Sequence, residues 1–264
     1  MRVEPLLAVK DLSLRRADGA PVLRDLRFEV GRGEILGVVG QSGSGKSQLL
    51  LSLLGLAMRG ATLSGSAKFG AQELVGASEG ALRRLRGTQI AMLFQDPLLS
   101  WNPYLRIGIQ LAEVLRMRGI DAAAARTRAC RALADVDLAE PERVLRQYPH
   151  ELSGGMRQRA MLAMATLSTP ALLLADEPTT ALDPTTQRRV LQRMRVLREQ
   201  GMSIVLVTHD LGVVAAVADR VLVLEHGVIV EQGEAARLLR APAGEYTRTL
   251  LNAARELEGL SCLS

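Results

Sequence analysis

Eight consecutive residues, Gly40-Gln41-Ser42-Gly43-Ser44-Gly45-Lys46-Ser47, constrain this chain more than any other stretch. They spell GxxxxGKS and stand between an apolar run, Glu34-Ile35-Leu36-Gly37-Val38-Val39, and a Leu-rich segment from Leu49 to Met58. The run has the make-up of a buried strand and the segment that of a buried helix. The glycines therefore fall at the strand-to-helix turn that a phosphate-binding loop requires. Glycines let successive backbone N–H groups converge on a polyphosphate with no side chain in the way. The helix beginning near Lys46 directs its N-terminal dipole at the same anion. The Lys46 ammonium can reach the β- and γ-phosphates, and the Ser47 hydroxyl can ligate Mg²⁺. Lysine occurs only at positions 10, 46 and 68, and a scarce residue at the one place its chemistry is wanted favours function over a chance turn.

A chain of 264 residues can bury a full core, and 48% hydrophobic with 23% charged residues is an ordinary globular composition. The net charge of +5 permits a nucleic-acid or acidic-membrane partner. The arginines, however, are spread along the expected helices. Aromatic residues make up only 3%, too few to offer stacking platforms for single-stranded bases. No nucleic acid is therefore expected. Cys130 and Cys262 have neither CxxC nor metal-ligand spacing, which fits a reducing compartment and no structural zinc. Met1–Lys10 carries Glu4 and Pro5 and lacks a signal-peptide core, and no apolar run approaches the ~20 residues of a membrane span.

In chain order, short strands are expected at 6–9, 11–14 and 23–30, parted by a turn at Asp18-Gly19-Ala20-Pro21. Met58 to Gly65 reads as loop, Ser66–Gly70 as a short strand and turn, and Gly87–Phe94 as a strand leading into Gln95. Ile107–Arg118 and Ala122–Val136 are helical windows with no convincing strand nearby, as an inserted helical subdomain would have. Leu172–Asp176 and Ser203–Val207 read as buried parallel strands, Thr186–Gln200 as an amphipathic helix and Val213–Ala218 as a short one. A hairpin over Arg220–Gln232 turns at His226-Gly227, and the chain is helical from Glu234.

Three further groups bear on chemistry. Asp176, at a strand's carboxyl end, can hold Mg²⁺ through water, and the next residue, Glu177, can polarise an attacking water as general base. Leu152-Ser153-Gly154-Gly155-Met156-Arg157-Gln158 opens a helix with a serine cap and two glycines, a second anion-binding helix N-terminus. One nucleotide does not need two such cradles, so Ser153, Gly154 and Gly155 are expected to meet the γ-phosphate of an ATP on another subunit's loop. His209, in Thr208-His209-Asp210, stands at a sheet's carboxyl edge, where it can touch the γ-phosphate. His150 and His226 lack that setting and read as structural. Gln95 can reach Mg²⁺ or the attacking water through its amide oxygen.

The loop, Gln95, LSGGM with Gln158, the Asp176-Glu177 pair, Ala181-Leu182-Asp183 and His209 stand in the order of an ABC-type ATPase, and the resemblance covers nearly the whole chain. Phe94-Gln95-Asp96-Pro97, Ser100-Trp101-Asn102-Pro103, Ile107-Gly108, Tyr148-Pro149-His150-Glu151 and Ala175–Asp183 are similar to the ATP-binding subunits of dipeptide, oligopeptide and nickel importers. So is the tail Pro242…Tyr246-Thr247…Leu250-Leu251, with Gly244-Glu245 where that group usually has His-Pro. Two departures stand out. The aromatic residue that usually stacks on adenine is replaced at about Arg15 or Arg16, and the several cysteines of many peptide-importer tails are missing. The short tail and plain N-terminus look more like the nickel-importer subunit.

The resemblance implies an α/β P-loop NTPase (RecA-like) core with a parallel sheet, an antiparallel β subdomain and an inserted α-helical subdomain. The expected divisions are 1–95 with the loop, about 96–165 helical, about 166–233 core with the acidic pair and His209, and a helical tail at 234–264. It further implies an ATPase using ATP and Mg²⁺ at the cytoplasmic face of a bacterial inner membrane. Its partners would be a sister ATPase subunit, in a heterodimer or a homodimer, two permease subunits and, indirectly, an extracytoplasmic substrate-binding protein. Asp96 to Arg106 is the segment expected to receive the permease. The expected cargo is nickel or a nickel complex, with a dipeptide or oligopeptide as the alternative. A soluble ABC ATPase of DNA repair or translation is the rival of another class, although the coiled-coil heptads, zinc cysteines and second loop typical of those proteins are missing.

Overall fold

The computed structural model describes residues 4–96, 100–180 and 182–257. The chain forms two compact units, one drawn from Met1–Arg83 and Ser203–Ser264, the other Arg84–Met202.

In the first unit, β1 (Leu7–Arg15) pairs antiparallel with β2 (Pro21–Val30). The expected breaks at Lys10 in β1 and ahead of Leu23 in β2 are not strand ends but bulges. Val9 and Leu12 are both buried although three residues apart, because Asp11 takes a left-handed φ of 52° and resets the alternation. Asp25, at φ 48°, does the same for Leu23 and Leu26 on β2. Aspartate tolerates this backbone better than most side chains. β4 (Thr62–Phe69) pairs with the other edge of β1 and starts earlier than the loop expected through Gly65. A Cβ on Gly65 would lie 2.2 Å from the Asp11 carbonyl oxygen, so the strand passes the bulge only as glycine. β5 (Gln72–Glu73) completes a sheet of order β2-β1-β4-β5.

The same unit holds β3 (Ile35–Val39), flanked in parallel by β8 (Ser203–Val207) and β9 (Arg220–Glu225), with β10 (Val228–Glu234) antiparallel at the edge. Every residue of β3 and β8 is buried, which is why these strands read as continuous apolar runs rather than alternating ones. β9 and β10 meet at His226 (φ 46°) and Gly227 (φ 78°), the paired positive φ values of a tight two-residue hairpin turn. α1 (Lys46–Leu53) follows β3 and is shorter than the Leu49–Met58 window suggests, since Gly55, at φ 64°, ends it. α2 (Glu79–Leu85) was not expected; its Arg-rich sequence lacks a clear apolar stripe.

In the second unit, β6 (Ile90–Leu93) lies parallel to β7 (Leu172–Asp176). Between them run α3 (Ile107–Arg116), α4 (Ala122–Ala134), α5 (Pro141–Arg146), a 3₁₀ turn at Pro149–Glu151 and α6 (Gly154–Thr166). Ile107, Leu111 and Leu115 give α3 one buried face at four-residue spacing, and Ala125, Ala129 and Leu133 do so for α4. Asp121 starts α4 by accepting from the N–H groups of Ala123 and Ala124, both at 3.0 Å. α5 and the 3₁₀ turn escape a periodicity reading because each is shorter than two turns. α7 (Pro184–Glu199) ends the unit. α8 (Leu211–Val217), α9 (Ala235–Arg240) and α10 (Glu245–Leu257) belong to the first unit. Among the described residues no helix is long and apolar enough to cross a membrane. Pro97, Ala181 and Cys262 lie outside the described residues.

Candidate active site

The glycine loop leaves the carboxyl end of β3. A Cβ on Gly40 would lie 2.1 Å from the Leu224 carbonyl oxygen, which restricts this first position to glycine. Lys46 is 6% exposed, and its ammonium donates back to the carbonyls of Gly40 at 2.8 Å and Gln41 at 2.9 Å. Two neutral carbonyls of the loop itself thus hold this buried cation. Gly45, the residue before α1, provides no side-chain cap, so the first-turn N–H groups of the helix have no such partner. The Ser44 hydroxyl is buried without a hydrogen-bond partner among the described residues. An uncapped helix N-terminus, a buried ammonium and an unsatisfied hydroxyl on one loop fit a polyphosphate. The Gln41 N–H, for its part, donates to the hydroxyl of Tyr246 at 3.2 Å.

His209 follows β8, which lies beside β3 in register Val38↔Val207, and the Thr208 N–H donates to the Val38 carbonyl at 3.2 Å. The loop and His209 therefore leave the same edge of the same parallel pair. Asp210 next to it caps α8, accepting from the Val213 N–H at 3.0 Å. Arg16, near the expected adenine position, pairs with Asp18 at 3.2 Å and lines a cavity of about 400 Å³ with Met58 and Arg59.

The second unit carries the carboxylates. Leu93 pairs with Ala175, so Gln95 and Glu177 emerge side by side beyond β6 and β7. The Gln95 side-chain N–H donates to Glu177 Oε2 at 3.2 Å, and the Thr180 hydroxyl donates to the same oxygen at 2.9 Å. Glu177 has a φ of 45°, a left-handed conformation that turns its side chain away from the line of the strand. Asp176, the last residue of β7, is 5% exposed. With the Gln95 nitrogen engaged by Glu177, the amide oxygen is its remaining acceptor.

Ser153 caps α6, its hydroxyl accepting from the Met156 N–H at 3.3 Å. A Cβ on Gly154 would meet open space, whereas one on Gly155 would lie 3.2 Å from the Thr186 methyl. Gly155 thus has a packing reason to be glycine; Gly154 has none among the described residues. Gln158, 2% exposed, donates to the Pro178 carbonyl at 2.6 Å and so fixes α6 to the turn that follows Glu177. Asp183 caps α7, accepting from the N–H groups of Thr185 and Thr186 at 3.0 Å each; the Thr186 side chain and backbone hold its carboxyl below the usual range. Of the expected permease-facing segment, residues 97–99 are not described. In the remainder the Gln110 side chain bonds the backbone of Asn102 and Leu105, and Tyr104 (86% exposed) and Leu105 face the surface, as does Ile109 (53%) on the adjoining α3.

Sequence reasoning missed the roles of Thr180 and Tyr246. Thr180 is quoted in the motif, but a threonine's hydroxyl partner has no sequence signature. Tyr246 reaches a residue 205 positions away, a contact no local pattern encodes.

The ABC transporter family matches residues 23–180. The oligopeptide transport ATP-binding protein OppD of Salmonella typhimurium is 46% identical over 258 residues, spanning 96% of this chain and 77% of its own length. The glutathione import ATP-binding protein GsiA of Pectobacterium atrosepticum is 44% identical over 260 residues, spanning 94% of this chain and 42% of its own. Among solved structures, the dimeric post-hydrolysis state of the ATP-binding cassette MJ0796 bound to ADP and Pi superposes with a TM-score of 0.78 at 26% identity, covering 87% of this chain and 98% of the other.

Proposed function

The chain belongs to the ABC transporter family, and on that premise we propose that it is the ATP-hydrolysing subunit of an importer whose cargo is a peptide. The ATPase activity and the importer role come with the family and its relatives. The choice of cargo is supported by those relatives, whose names specify oligopeptides and glutathione. The expectation leaned to nickel on a short tail and a plain N-terminus. An identity of 46% over 96% of the chain to an oligopeptide transport ATP-binding protein outweighs those two features.

The observation that carries the reading is the Lys46 cradle, with its ammonium on two loop carbonyls and an uncapped helix start beneath it. Backbone N–H groups from Ser42 to Ser47 and the Lys46 ammonium bind the polyphosphate of ATP, and neutral carbonyl partners are readily exchanged for phosphate oxygens. Ser47, the Gln95 amide oxygen and Asp176 are hard oxygen donors suited to Mg²⁺, which neutralises charge on the β- and γ-phosphates when bound. Among the described residues no group of three or more His, Cys, Asp or Glu side chains is placed to hold a metal ion. Glu177 accepts the proton of the attacking water, oriented by Gln95 and Thr180. His209 donates to the γ-phosphate. Ser153, Gly154 and Gly155 serve the ATP of a sister subunit; among the described residues a Cβ on Gly154 would meet open space, which leaves room for such an approach.

The sister ATPase subunit, of the same or a different kind, and two permease subunits complete the assembly at the cytoplasmic face of the inner membrane, fed by an extracytoplasmic binding protein. The segment from Asp96 to Arg106 receives the permease; exposed Tyr104 and Leu105, with Ile109 beside them, supply the apolar contact such a joint needs. The test is uptake of a labelled dipeptide, a labelled oligopeptide and labelled nickel in native cells carrying Glu177→Gln. Loss of peptide uptake with nickel uptake intact is the expected result. Loss of nickel uptake alone would return the cargo to the metal, and persistence of all three would remove the importer reading.

A further inference from the structure

We infer that Tyr246, in the C-terminal helix, is a positioning residue for the glycine loop, because its hydroxyl and the Lys46 ammonium hold opposite ends of one peptide unit. The unit is the amide joining Gly40 to Gln41. Its carbonyl accepts from Lys46 Nζ at 2.8 Å, and its N–H donates to Tyr246 Oη at 3.2 Å. An amide is planar, so fixing the direction of the N–H fixes that of the carbonyl. Gly40 has no side chain whose packing could do the same, and a glycine peptide rotates more freely than any other. Were this plane to turn over, its carbonyl oxygen would leave Lys46 and the ammonium would lose one of its two anchors in the loop. Tyr246 opposes that rotation from outside the loop.

The position of the tyrosine is itself built. Glu231 on β10 accepts from the N–H groups of Ala243 at 2.9 Å and Gly244 at 3.0 Å, holding the turn that leads into α10. A Cβ on Gly244 would lie 3.0 Å from that carboxylate, so a side chain there crowds it. One residue later, the Tyr246 ring packs on a cluster that includes Val39, Leu211, Val214 and Leu251. Val39 immediately precedes Gly40, and Leu211 and Val214 belong to the helix that follows His209. The tail thereby rests on the root of the loop and on the helix behind the second expected phosphate contact. Its ordering sets how well the loop is formed before any nucleotide arrives.

This inference rests on the reading of the loop as the ATP site. Tyr246→Phe in the full chain removes the hydroxyl and keeps the ring in its packing. The expected result is a rise of about three- to tenfold in the dissociation constants of both ATP and ADP, the range for loss of one hydrogen bond from an organised site. Both nucleotides should weaken together, kcat should stay within about twofold, and the melting temperature should not change. Amide hydrogen exchange at Gln41 should accelerate selectively. Unchanged dissociation constants in Tyr246→Phe would overturn the inference. So would weakening that merely tracks a fall in melting temperature, since the tyrosine would then be a packing residue only. Failure of the unaltered chain to bind ATP or ADP would instead sink the ATP-site reading, and it is visible before any variant is made.

Discussion

The side-chain amide of Gln95 donates to Glu177 Oε2 across 3.2 Å, tying together two residues 82 positions apart at the ends of paired parallel strands. The bond has a direction: a nitrogen faces the carboxylate, and an oxygen is left for a cation or water. Gln95→Glu would replace that donor with a second carboxylate. Two carboxylates at this distance repel each other, so Gln95→Glu should lower steady-state ATPase further than Gln95→Ala, which removes the bond without adding a charge. Equal loss in the two variants would take the donor role from Gln95.

Glu177→Gln keeps the size and hydrogen-bonding shape of the side chain but cannot accept a proton. ATP hydrolysis should fall by about 10²–10⁴-fold while bound ATP is retained. Near-normal phosphate release in this variant would take the base role from Glu177. The backbone adds a second expectation. A non-glycine residue at a φ of 45° costs roughly 1–2 kcal/mol, so Glu177→Gly should be as inactive as Glu177→Gln and yet no less stable to denaturant than the parent.

Gly154 and Gly155 are neighbours in sequence with different surroundings, so alanine tells them apart. Gly154→Ala adds a methyl in open space at a helix start and should leave the urea midpoint unchanged or slightly raised. If a sister subunit's ATP lies there, its ATPase activity should still fall at least about tenfold. Gly155→Ala presses on Thr186 and should be less stable than Gly154→Ala, and less active than the parent. Full activity in a stable Gly154→Ala protein would remove this glycine from nucleotide contact.

Glu231 gives the tail a pH limit. Burial alone would raise its carboxyl, but the Thr247 hydroxyl nearby, the N–H groups of Ala243 and Gly244 and the charge of Arg248 outweigh this and hold it below the ordinary 4.5. A carboxyl whose folded pKa is depressed contributes its full stabilisation above the unfolded value and loses it as pH falls through the folded one. Amide exchange at residues 243–247 should accelerate as pH drops below about 4.5, after correction for intrinsic rates. In Glu231→Gln these amides should exchange faster than in the parent at neutral pH, with most of that acid-induced change gone.

The fold was legible in the sequence wherever burial is two-sided or periodic. Leu172–Asp176 and Ser203–Val207 stand where the apolar runs put them, because a strand covered on both faces has no alternation to misread. β1 was read as two strands because a bulge at Asp11 shifts the alternation by one residue, and sequence alone cannot tell such a shift from a chain break. At the site, residue types and order mark the loop, the Asp176–Glu177 pair and Gln95 as candidates on local chemistry alone. The Gly155–Thr186 contact and the Tyr246 bond depend on distances between remote segments, and the Thr180 bond on the local turn set by the left-handed backbone of Glu177 three residues before it. No spacing rule expresses them.

The scarcity of lysine gives the buried ammonium a practical use. Of the three lysine amines, Lys10 and Lys68 are exposed on the antiparallel sheet, while Lys46 is enclosed and bonded to carbonyls. An amine-acylating reagent followed by peptide mass mapping should mark Lys10 and Lys68 at once and Lys46 only when the loop opens. The slow mark then becomes a single-residue clock for loop opening, with the two fast ones as internal standards.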